Sequence, residues 1–291
     1  MSIRFLAFVT AMMSGVGGIS AADAASPVRA IEKVAHCGGF LEGAAFDAQG
    51  NLWVVDLMSG NVSVVRSGKC EVVVNTGGAP NGARFHKDGR LFITDNKKGL
   101  LALDTRTKTL STIVDTYDGK QLSSLNDLVF DTKGGMYITD PNGSTAINRK
   151  GRLFYLSAEG RLSVIADTLS FPNGVALSPD GAYVYVGQFT DKSILMIPSL
   201  DNKEPLKAAF VHVRTVGGLG PDGMVVTDDG HLIWAQFGDG GVGVADARGR
   251  LLPGHMLPEG AGLYVTNIAM KDGWAYVTEA QRGDVWRIPI Y

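Results

Sequence analysis

Six similar segments of the chain each carry an oxygen-bearing side chain at the second position, where an apolar run begins. These residues are Glu42, Asn81, Asn126, Asn173, Asp222 and Thr266, with Asn267 as the alternative in the last segment. Asn and Asp also occur in ordinary turns, where they bond nearby backbone groups. Turn chemistry accounts neither for Glu42 nor for a polar residue at all six positions. We therefore interpret the six as a functional set.

Carboxylate and amide oxygens from such a set are suited to a hard divalent cation. Glu42 and Asp222 supply two formal negative charges, which balance a divalent ion, and the asparagines add neutral oxygen ligands. We expect one metal ion, Ca²⁺ first, with Mg²⁺, Mn²⁺ and Zn²⁺ as alternatives. The remaining coordination positions stay open to water and substrate.

The elements that position these residues follow from an internal repeat. The six segments begin between 39 and 49 residues apart, and PNGVALSPDGAYVYVG from Pro172 is one example. Each has a polar residue, an apolar and often β-branched run, a tight turn ending in Gly, and a second apolar run. This pattern predicts a β-hairpin. Strand candidates between the hairpins give about four strands per repeat, which is typical of a β-propeller blade.

The predicted fold is an all-β, six-bladed β-propeller with four-stranded blades. The first strand of every blade lines the channel of a propeller, so the six polar residues should converge there. Only one strand, GDVWRIPIY, follows the sixth hairpin, and VRAIEKVAH near the N-terminus has no blade of its own. We expect this N-terminal strand to complete the last blade and close the ring, which protects an open sheet edge.

The N-terminus has the pattern of a secretory signal. Arg4 precedes an apolar run from Phe5 to Ile19, and small residues follow with Ala-x-Ala at 22–24. The run is too short and too interrupted by Gly and Ser for a membrane anchor. We expect residues 1–24 to be a signal peptide and residues 27–291 to be one exported domain, periplasmic or secreted, without a membrane span.

The composition excludes other classes. The 291 residues include 27 Lys and Arg against 29 Asp and Glu, so the net charge of −2 gives no basic surface for nucleic acid. An apolar content of 45% excludes a disordered chain. The five histidines show no metal-ligand spacing. In an oxidising compartment Cys37 and Cys70 either pair or remain two thiols.

The motifs LEGAAFDAQGNLWVVD, LNDLVFDTKGGMYITDP, FPNGVALSPDGAYVYV and GPDGMVV resemble those of the senescence marker protein/gluconolactonase/luciferin-regenerating enzyme family. The resemblance runs over the whole mature chain, in order and at matching spacing. It implies a six-bladed propeller with one divalent metal in the channel and lactonase activity. It assigns the metal ligands to Glu42, Asn173 and Asp222, and it gives Asn126 a contact to metal-bound water or substrate.

Lactone hydrolysis fits this set of residues chemically. A divalent metal polarises the ester carbonyl and stabilises the oxyanion, and a neighbouring carboxylate takes a proton from the attacking water. The resemblance gives the role of general base to Asp222. We expect Asn126, Asn81 and Thr266 to contact a small-molecule lactone. A phosphotriesterase-type hydrolase with the same metal and a non-catalytic ligand-binding propeller are the alternatives; the absence of Gly-x-Ser-x-Gly argues against a serine hydrolase.

Two departures from the family pattern concern the substrate. Several members carry an Arg that grips sugar hydroxyls shortly before the Asn-Asp motif, where this chain has Ser124 and Leu125. Asp140 and Pro141 are followed by Asn-Gly instead of an aromatic-containing loop. The predicted metal ligands are unaffected, but these departures argue against a sugar lactone.

Overall fold

The structure, a computed structural model, describes residues 29–203 and 208–290, so the predicted signal peptide, residues 1–24, lies outside the described residues. Within the described ranges the regular structure is β-strand except for one 3₁₀ turn, Phe189–Asp191. In these ranges no helix is long and apolar enough to cross a membrane. The prediction of an all-β fold is therefore confirmed.

The strands are numbered in chain order. The first are β1 (Glu32–His36), β2 (Leu41–Phe46), β3 (Leu52–Asp56), β4 (Asn61–Arg66), β5 (Lys69–Asn75), β6 (Pro80–Phe85), β7 (Leu91–Asp95), β8 (Gly99–Asp104) and β9 (Thr109–Val114). The next are β10 (Thr116–Tyr117), β11 (Lys120–Gln121), β12 (Leu128–Phe130), β13 (Met136–Asp140), β14 (Gly151–Leu156), β15 (Leu162–Leu169), β16 (Pro172–Leu177), β17 (Tyr183–Gln188), β18 (Ser193–Pro198) and β19 (Phe210–Arg214). The last are β20 (Gly220–Val226), β21 (Leu232–Phe237), β22 (Gly241–Ala245), β23 (Leu251–Met256), β24 (Val265–Lys271), β25 (Trp274–Glu279) and β26 (Asp284–Pro289).

Strands that are neighbours in the chain pair into antiparallel sheets. The four-stranded sheets of the described residues have the orders β6-β7-β8-β9, β12-β13-β14-β15, β16-β17-β18-β19 and β20-β21-β22-β23. A larger sheet has the order β2-β3-β4-β5-β1-β26-β25-β24, and β10 and β11 form a short ribbon. This repetition of antiparallel sheets is a propeller-like fold.

The N-terminal strand joins the two ends of the chain. β1 pairs with β26 in antiparallel register, with Glu32 opposite Arg287. It also meets β5 in a parallel bridge between His36 and Lys69. The strand that has no hairpin of its own therefore lies beside the last strand, as the sequence predicts.

Apolar side chains pack between the faces of successive sheets. Val62 and Ile93 belong to a cluster between the sheets of the first two hairpins. Val54 and Ala269 belong to a cluster between the first hairpin and the last. Because each fully buried aliphatic side chain stabilises the fold by about 1.5–3 kcal/mol, these contacts hold the first strands of the hairpins in place.

The hairpin turns explain much of the glycine content. In the first turn the Asp47 carboxylate accepts hydrogen bonds from the backbone N–H groups of Gln49 and Asn51, at 3.0 and 2.8 Å. Gly50 then takes a φ of +81°, a conformation that side chains disfavour. Turn chemistry therefore fixes where each hairpin reverses, and hence the register of its two strands.

Cys37 and Cys70 form a disulfide with a Cα–Cα distance of 5.0 Å. Cys37 follows β1 and Cys70 lies in β5, next to the bridge between those strands. The disulfide therefore ties the N-terminal strand to the first hairpin sheet.

Replacing both cysteines with Ser should lower the free energy of unfolding by about 3–4 kcal/mol, because the bridge closes a 33-residue separation in the unfolded chain. Urea unfolding of both proteins, with and without reductant, measures the loss. Reductant should lower the wild-type midpoint and leave that of the double variant unchanged. A wild-type midpoint that is insensitive to reductant would contradict the prediction.

Candidate functional site

The first strands of five of the six hairpins are irregular at the polar residue. The pairing of β2 with β3 is regular as far as Glu42 opposite Val55 and resumes only at Ala45 opposite Trp53. Strands β6, β16, β20 and β24 shift register at the corresponding place. Such β-bulges re-aim side chains out of the regular alternation. The repeat therefore positions its polar residues by a repeated irregularity.

The six predicted channel residues are buried, and four of them have one oxygen atom without a partner among the described residues. Their exposed fractions lie between 0 and 7%: Glu42, Asn81, Asn126, Asn173, Asp222 and Thr266. Four of their oxygen atoms accept no hydrogen bond from the described residues: Glu42 Oε2, Asn81 Oδ1, Asn126 Oδ1 and Asn173 Oδ1. Buried polar atoms are normally satisfied, so four such oxygens at equivalent positions point to a ligand.

Buried carboxylates lie close enough in this region to influence one another. Burial raises the pKa of Glu42 well above its ordinary value, and the charges of Asp222 and Asp127 raise it further. Burial also raises the pKa of Asp222, with a further contribution from Asp127, while hydrogen bonds from the Gly223 backbone and the Asn173 side chain oppose the shift. A cation among them would favour the charged forms of both groups.

Glycines after the polar residues let neighbouring hairpins approach closely. A methyl group on Gly43 would lie 2.5 Å from the carbonyl oxygen of Asn81, on the next hairpin. A methyl group on Gly174 would collide with the carbonyl oxygen of Asp222 in the same way. Side chains there would push the first strands apart, so these glycines bring the polar residues together.

Threonine hydroxyls connect the same strands. Each donates to a backbone carbonyl oxygen of a neighbouring hairpin: Thr94 to Asn126 at 2.5 Å, Thr139 to Asn173 at 2.5 Å, and Thr266 to Leu41 at 2.7 Å. The last of these bonds links the sixth segment to the first. The segments therefore follow one another in chain order, and the last contacts the first.

Thr266 differs from the other five predicted residues. Its hydroxyl donates to Leu41 and lies 2.8 Å from the hydroxyl of Thr278, and the residue has no exposed surface. Its polar group therefore serves contacts between strands. The structure brings the other five together with at least one unpartnered or charged oxygen each, and it gives the predicted substrate contact of Thr266 no support.

Sequence reasoning missed a half-buried arginine, Arg84, that pairs with the buried Asp127 beside the site. The Arg84 guanidinium lies 3.6 Å from the Asp127 carboxylate and donates hydrogen bonds to Asn267 Oδ1 at 3.3 Å and to the Ala44 carbonyl oxygen at 3.2 Å. Burial raises the pKa of Asp127, and Arg84 opposes that rise. The sequence did contain a sign of this group: at the third position of the repeat, Asp127 and Asn267 replace the Gly that the other four segments have.

Replacing Arg84 with Met should lower the free energy of unfolding of the metal-free protein by about 3–5 kcal/mol at pH 8, because the buried Asp127 charge loses its partner. The charge of Arg84 lowers the pKa of Asp127. The contribution of Arg84 to the free energy of unfolding is therefore present at high pH, where Asp127 is charged, and is lost as the pH falls and Asp127 is protonated. Urea unfolding in chelator at pH 8 and pH 5 tests this. Arg84→Lys keeps the charge, so its free energy of unfolding should fall less than that of Arg84→Met. An equal loss of stability by Arg84→Met at both pH values would contradict the prediction.

The side-chain oxygens at these positions are of the types that bind a hard cation, and they include neutral amides as well as carboxylates. In the described ranges no three His, Cys, Asp or Glu side chains cluster so as to hold a metal. The oxygen atoms near the Glu42 and Asp222 carboxylates include those of asparagine amides. The unpartnered asparagine oxygens are of that type, and all-oxygen coordination suits Ca²⁺, Mg²⁺ or Mn²⁺ better than a softer ion.

A cavity of about 1010 Å³ lies elsewhere on the protein. Its lining includes Ile165, Leu195 and Val211 from the outer strands of two neighbouring sheets, and none of the buried carboxylates. We place the chemistry at the converging first strands, because the unpartnered oxygens are there.

Comparisons with known proteins find relatives that match most of this chain. Residues 28–281 match the model of the SMP-30/Gluconolactonase/LRE-like region. A gluconolactonase from Zymomonas mobilis is 35% identical over 152 residues, which cover 46% of this chain and 42% of that protein, so the match spans less than half of that relative. The lactonase drp35 of Staphylococcus aureus is 33% identical over 238 residues, 75% of this chain and 72% of that protein.

A solved structure has the same fold. A gluconolactonase from Xanthomonas campestris superposes with a TM-score of 0.77 at 26% identity, and the match covers 89% of each chain. The similarity therefore extends from the sequence motifs to the arrangement of nearly the whole chain.

Proposed function

This chain belongs to the SMP-30/gluconolactonase/LRE-like family, and from that premise we propose that it is a hydrolase that opens a lactone at a divalent metal in the channel. The observation that carries the proposal is the group of three buried, unpartnered asparagine oxygens beside the two buried carboxylates of Glu42 and Asp222. The lactonases among its relatives support the reaction type.

Glu42, Asn173 and Asp222 would hold the metal, and Ca²⁺ is the proposed ion. Amide and carboxylate oxygens in this proportion suit Ca²⁺, while Mn²⁺, Mg²⁺ and Zn²⁺ remain the ions to compare with it. When bound, a divalent cation polarises an ester carbonyl and stabilises negative charge on its oxygen. The unpartnered oxygens of Asn81 and Asn126 are left to contact substrate or water.

Asp222 is the proposed general base. Its carboxylate accepts a proton from water as the water oxygen bonds to the lactone carbonyl carbon. It returns that proton to the ring oxygen when the ring C–O bond breaks, which yields the hydroxy acid. The hydrogen bond from the Asn173 side chain orients the carboxylate.

We also propose that the eight-stranded sheet represents two blades, which gives six blades in all. The order β2-β3-β4-β5 continues as β1-β26-β25-β24, and a single parallel bridge joins the two halves. On this basis residues 27–291 form one domain closed by the N-terminal strand. Export to the periplasm or the exterior, after removal of residues 1–24, is supported by the disulfide, since such bonds persist in oxidising compartments.

Chelation followed by metal addition tests the function. Hydrolysis of δ-valerolactone, 3,4-dihydrocoumarin and glucono-δ-lactone should fall by about a hundredfold or more in EDTA, since the metal supplies most of the carbonyl polarisation. Excess Ca²⁺ should restore it, and Mn²⁺, Mg²⁺ and Zn²⁺ are compared in parallel. Paraoxon in the same panel tests phosphotriester hydrolysis.

Three results would overturn the proposal. If paraoxon is hydrolysed faster than every lactone, the protein is a phosphotriesterase that uses the same site. If no ester is hydrolysed with any metal, while calorimetry still detects Ca²⁺ binding, the protein is a ligand-binding propeller. Lactone hydrolysis that is unaffected by EDTA would remove the metal from the mechanism.

A further inference from the structure

A second layer of side chains lies just beyond the polar residues. The positions two residues before them are Phe40, Ala79, Ser124, Phe171, Gly220 and Tyr264. Five of these residues lie in the segments that lead into the first strands, and Gly220 begins β20, so this layer lies just before the polar residues along the chain. It therefore borders any ligand that reaches the unpartnered oxygens.

Aromatic rings form a continuous arc on one side of this layer. The ring centroids of Phe171 and Phe189 are 5.5 Å apart, those of Phe189 and Phe237 are 5.7 Å apart, and those of Phe237 and Tyr264 are 4.6 Å apart. The arc, which we define as Phe171, Phe189, Phe237 and Tyr264, is contributed by three successive hairpins. All four residues are only half-buried, so they keep apolar surface available.

The local backbone places these rings beside the first strands. The N–H of Phe189 donates to the Phe171 carbonyl oxygen at 3.0 Å, and Phe237 pairs with Gly220 across the fifth hairpin. A methyl group on Gly220 would collide with the backbone of Phe189. The missing side chain at Gly220 is therefore what lets Phe189 cross from the fourth hairpin towards Phe237.

Exposed leucines extend the arc outwards. Leu219 and Leu263 are 55% and 52% exposed. The N–H of Leu219 donates to the Phe237 carbonyl oxygen at 2.6 Å, and the Leu263 carbonyl oxygen accepts from Gly238 at 2.8 Å. Both leucines thus flank Phe237, and the apolar surface runs from the arc to solvent.

Apart from Phe40, the rest of the layer is small or polar. It carries Ala79 and Ser124 just before the first strands of their hairpins, and Asn96 follows the second strand of its hairpin. The Ser124 hydroxyl donates to the Asp140 carboxylate, and Asn96 Oδ1 is buried without a partner. A ligand at the unpartnered oxygens therefore meets an apolar wall on one side and polar groups on the other.

We propose that the aromatic arc binds an apolar ring or alkyl chain attached to the lactone. The substrate class is then an alkyl- or aryl-substituted lactone in place of a polyhydroxylated sugar lactone. This inference rests on the proposed lactonase function. Apolar surface that leaves water for these rings favours binding, whereas sugar hydroxyls there would lose hydrogen bonds to water without replacement.

Hydrolysis of a matched pair of lactones tests the inference. δ-Decalactone carries a pentyl chain on the ring of δ-valerolactone, so wild type should show a kcat/KM about tenfold or more higher for the decalactone, as expected when a few methylene groups leave water. Phe189→Ala and Phe237→Ala should each lower kcat/KM for decalactone more than for valerolactone and so remove most of this preference. A preference for glucono-δ-lactone, or a pentyl preference that survives both variants, would overturn the proposal.

Exposed leucines give variants that keep the ring packing intact. Leu263→Ser should reduce the pentyl preference by about threefold, since one apolar contact is lost at an exposed position. Leu251→Ser is the matched control, because Leu251 is 49% exposed on β23 and lies outside the arc. Equal effects of the two Leu variants would contradict the assignment of the arc.

Binding of unreactive analogues separates this inference from the proposed hydrolysis. Calorimetry should show that wild type binds δ-decalactam about tenfold more tightly than δ-valerolactam, and that Phe189→Ala removes the difference. If no lactone is hydrolysed but the lactam preference is present, the proposed hydrolysis fails and the arc stands. If the two lactams bind equally, the arc is wrong whatever the protein hydrolyses.

Discussion

Asp222→Ala should reduce kcat/KM for lactone hydrolysis by about a thousandfold or more, because one substitution removes both the proposed base and a proposed metal ligand. Asp222 is 4% exposed, and its pKa is raised by burial and by Asp127. No other carboxylate among the described residues both lies at a predicted channel position and receives a side-chain hydrogen bond from a proposed ligand. Steady-state kinetics with Ca²⁺ in excess measures the effect.

Asp222→Asn separates the two roles of this residue. The amide keeps an oxygen that can bind a cation but cannot accept the proton from water. It should therefore lose hydrolysis nearly as completely as the Ala variant, while Ca²⁺ binding, measured by calorimetry, weakens less than with Ala.

Asp228→Ala provides the matched control, since Asp228 is an exposed aspartate near the turn of the same hairpin. It should retain wild-type kinetics. Turnover of Asp222→Ala within a few-fold of wild type would remove Asp222 from the mechanism, and equal Ca²⁺ binding by Asp222→Asn and Asp222→Ala would contradict the proposed amide ligation.

Features set by local sequence were predictable. Hairpins followed from turn residues such as Asp47 and Gly50, whose bonds and backbone angle the structure reproduces. The unpaired strand at each end of the chain predicted the β1–β26 pairing. The polar position at the start of the repeat led to the buried, unpartnered oxygens, because residues at one position of a repeat occupy equivalent places in the fold.

Features that depend on contacts between repeats were missed. Arg84 occupies an otherwise apolar strand position, and its partners Asp127 and Asn267 belong to other hairpins. The aromatic arc was missed for the same reason, since Phe189 meets Phe237 only because Gly220 leaves room. Repeat alignment compares equivalent positions, whereas these contacts join non-equivalent ones.

Thr266 shows that an equivalent position in the repeat need not carry an unpartnered oxygen. Its place in the repeat predicted a ligand contact, but its hydroxyl bonds to Leu41 and Thr278. A hydroxyl on a short side chain is satisfied by the nearest backbone carbonyl, while a longer Glu or Asn side chain at the same position keeps an oxygen free. The type of residue therefore decides whether an equivalent position serves the site or the scaffold.

Glu42→Gln should have opposite effects on stability without and with metal. Burial, Asp222 and Asp127 raise the folded-state pKa of Glu42 above its ordinary value. The folded state therefore binds this proton more tightly than the unfolded state, so the metal-free wild type should lose stability as the pH rises through the raised pKa. Gln carries no such charge and should stabilise the metal-free protein at pH 8 by about 1–3 kcal/mol.

Calcium should reverse that order. Saturating metal stabilises the folded state by RT ln(1 + [Ca²⁺]/Kd), about 2.7 kcal/mol at a hundredfold excess over Kd. Glu42→Gln lacks a charged ligand, so Ca²⁺ should stabilise it much less than wild type. In saturating Ca²⁺ the variant should therefore be the less stable protein. Urea unfolding at pH 5 and pH 8, in EDTA and in Ca²⁺, measures all four values for each protein.

The exposed Glu259 supplies the control for this reversal. Glu259→Gln removes the same charge away from the site and should behave as wild type in every condition. If Glu42→Gln has the same sign of effect in EDTA and in Ca²⁺, Glu42 is not a metal ligand. If the stabilisation by Glu42→Gln in EDTA does not grow between pH 5 and pH 8, the charge of Glu42 does not destabilise the folded protein through burial and repulsion by Asp222 and Asp127. A reversal confined to Glu42→Gln would instead mean that the metal offsets a repulsion that folding creates among Glu42, Asp127 and Asp222.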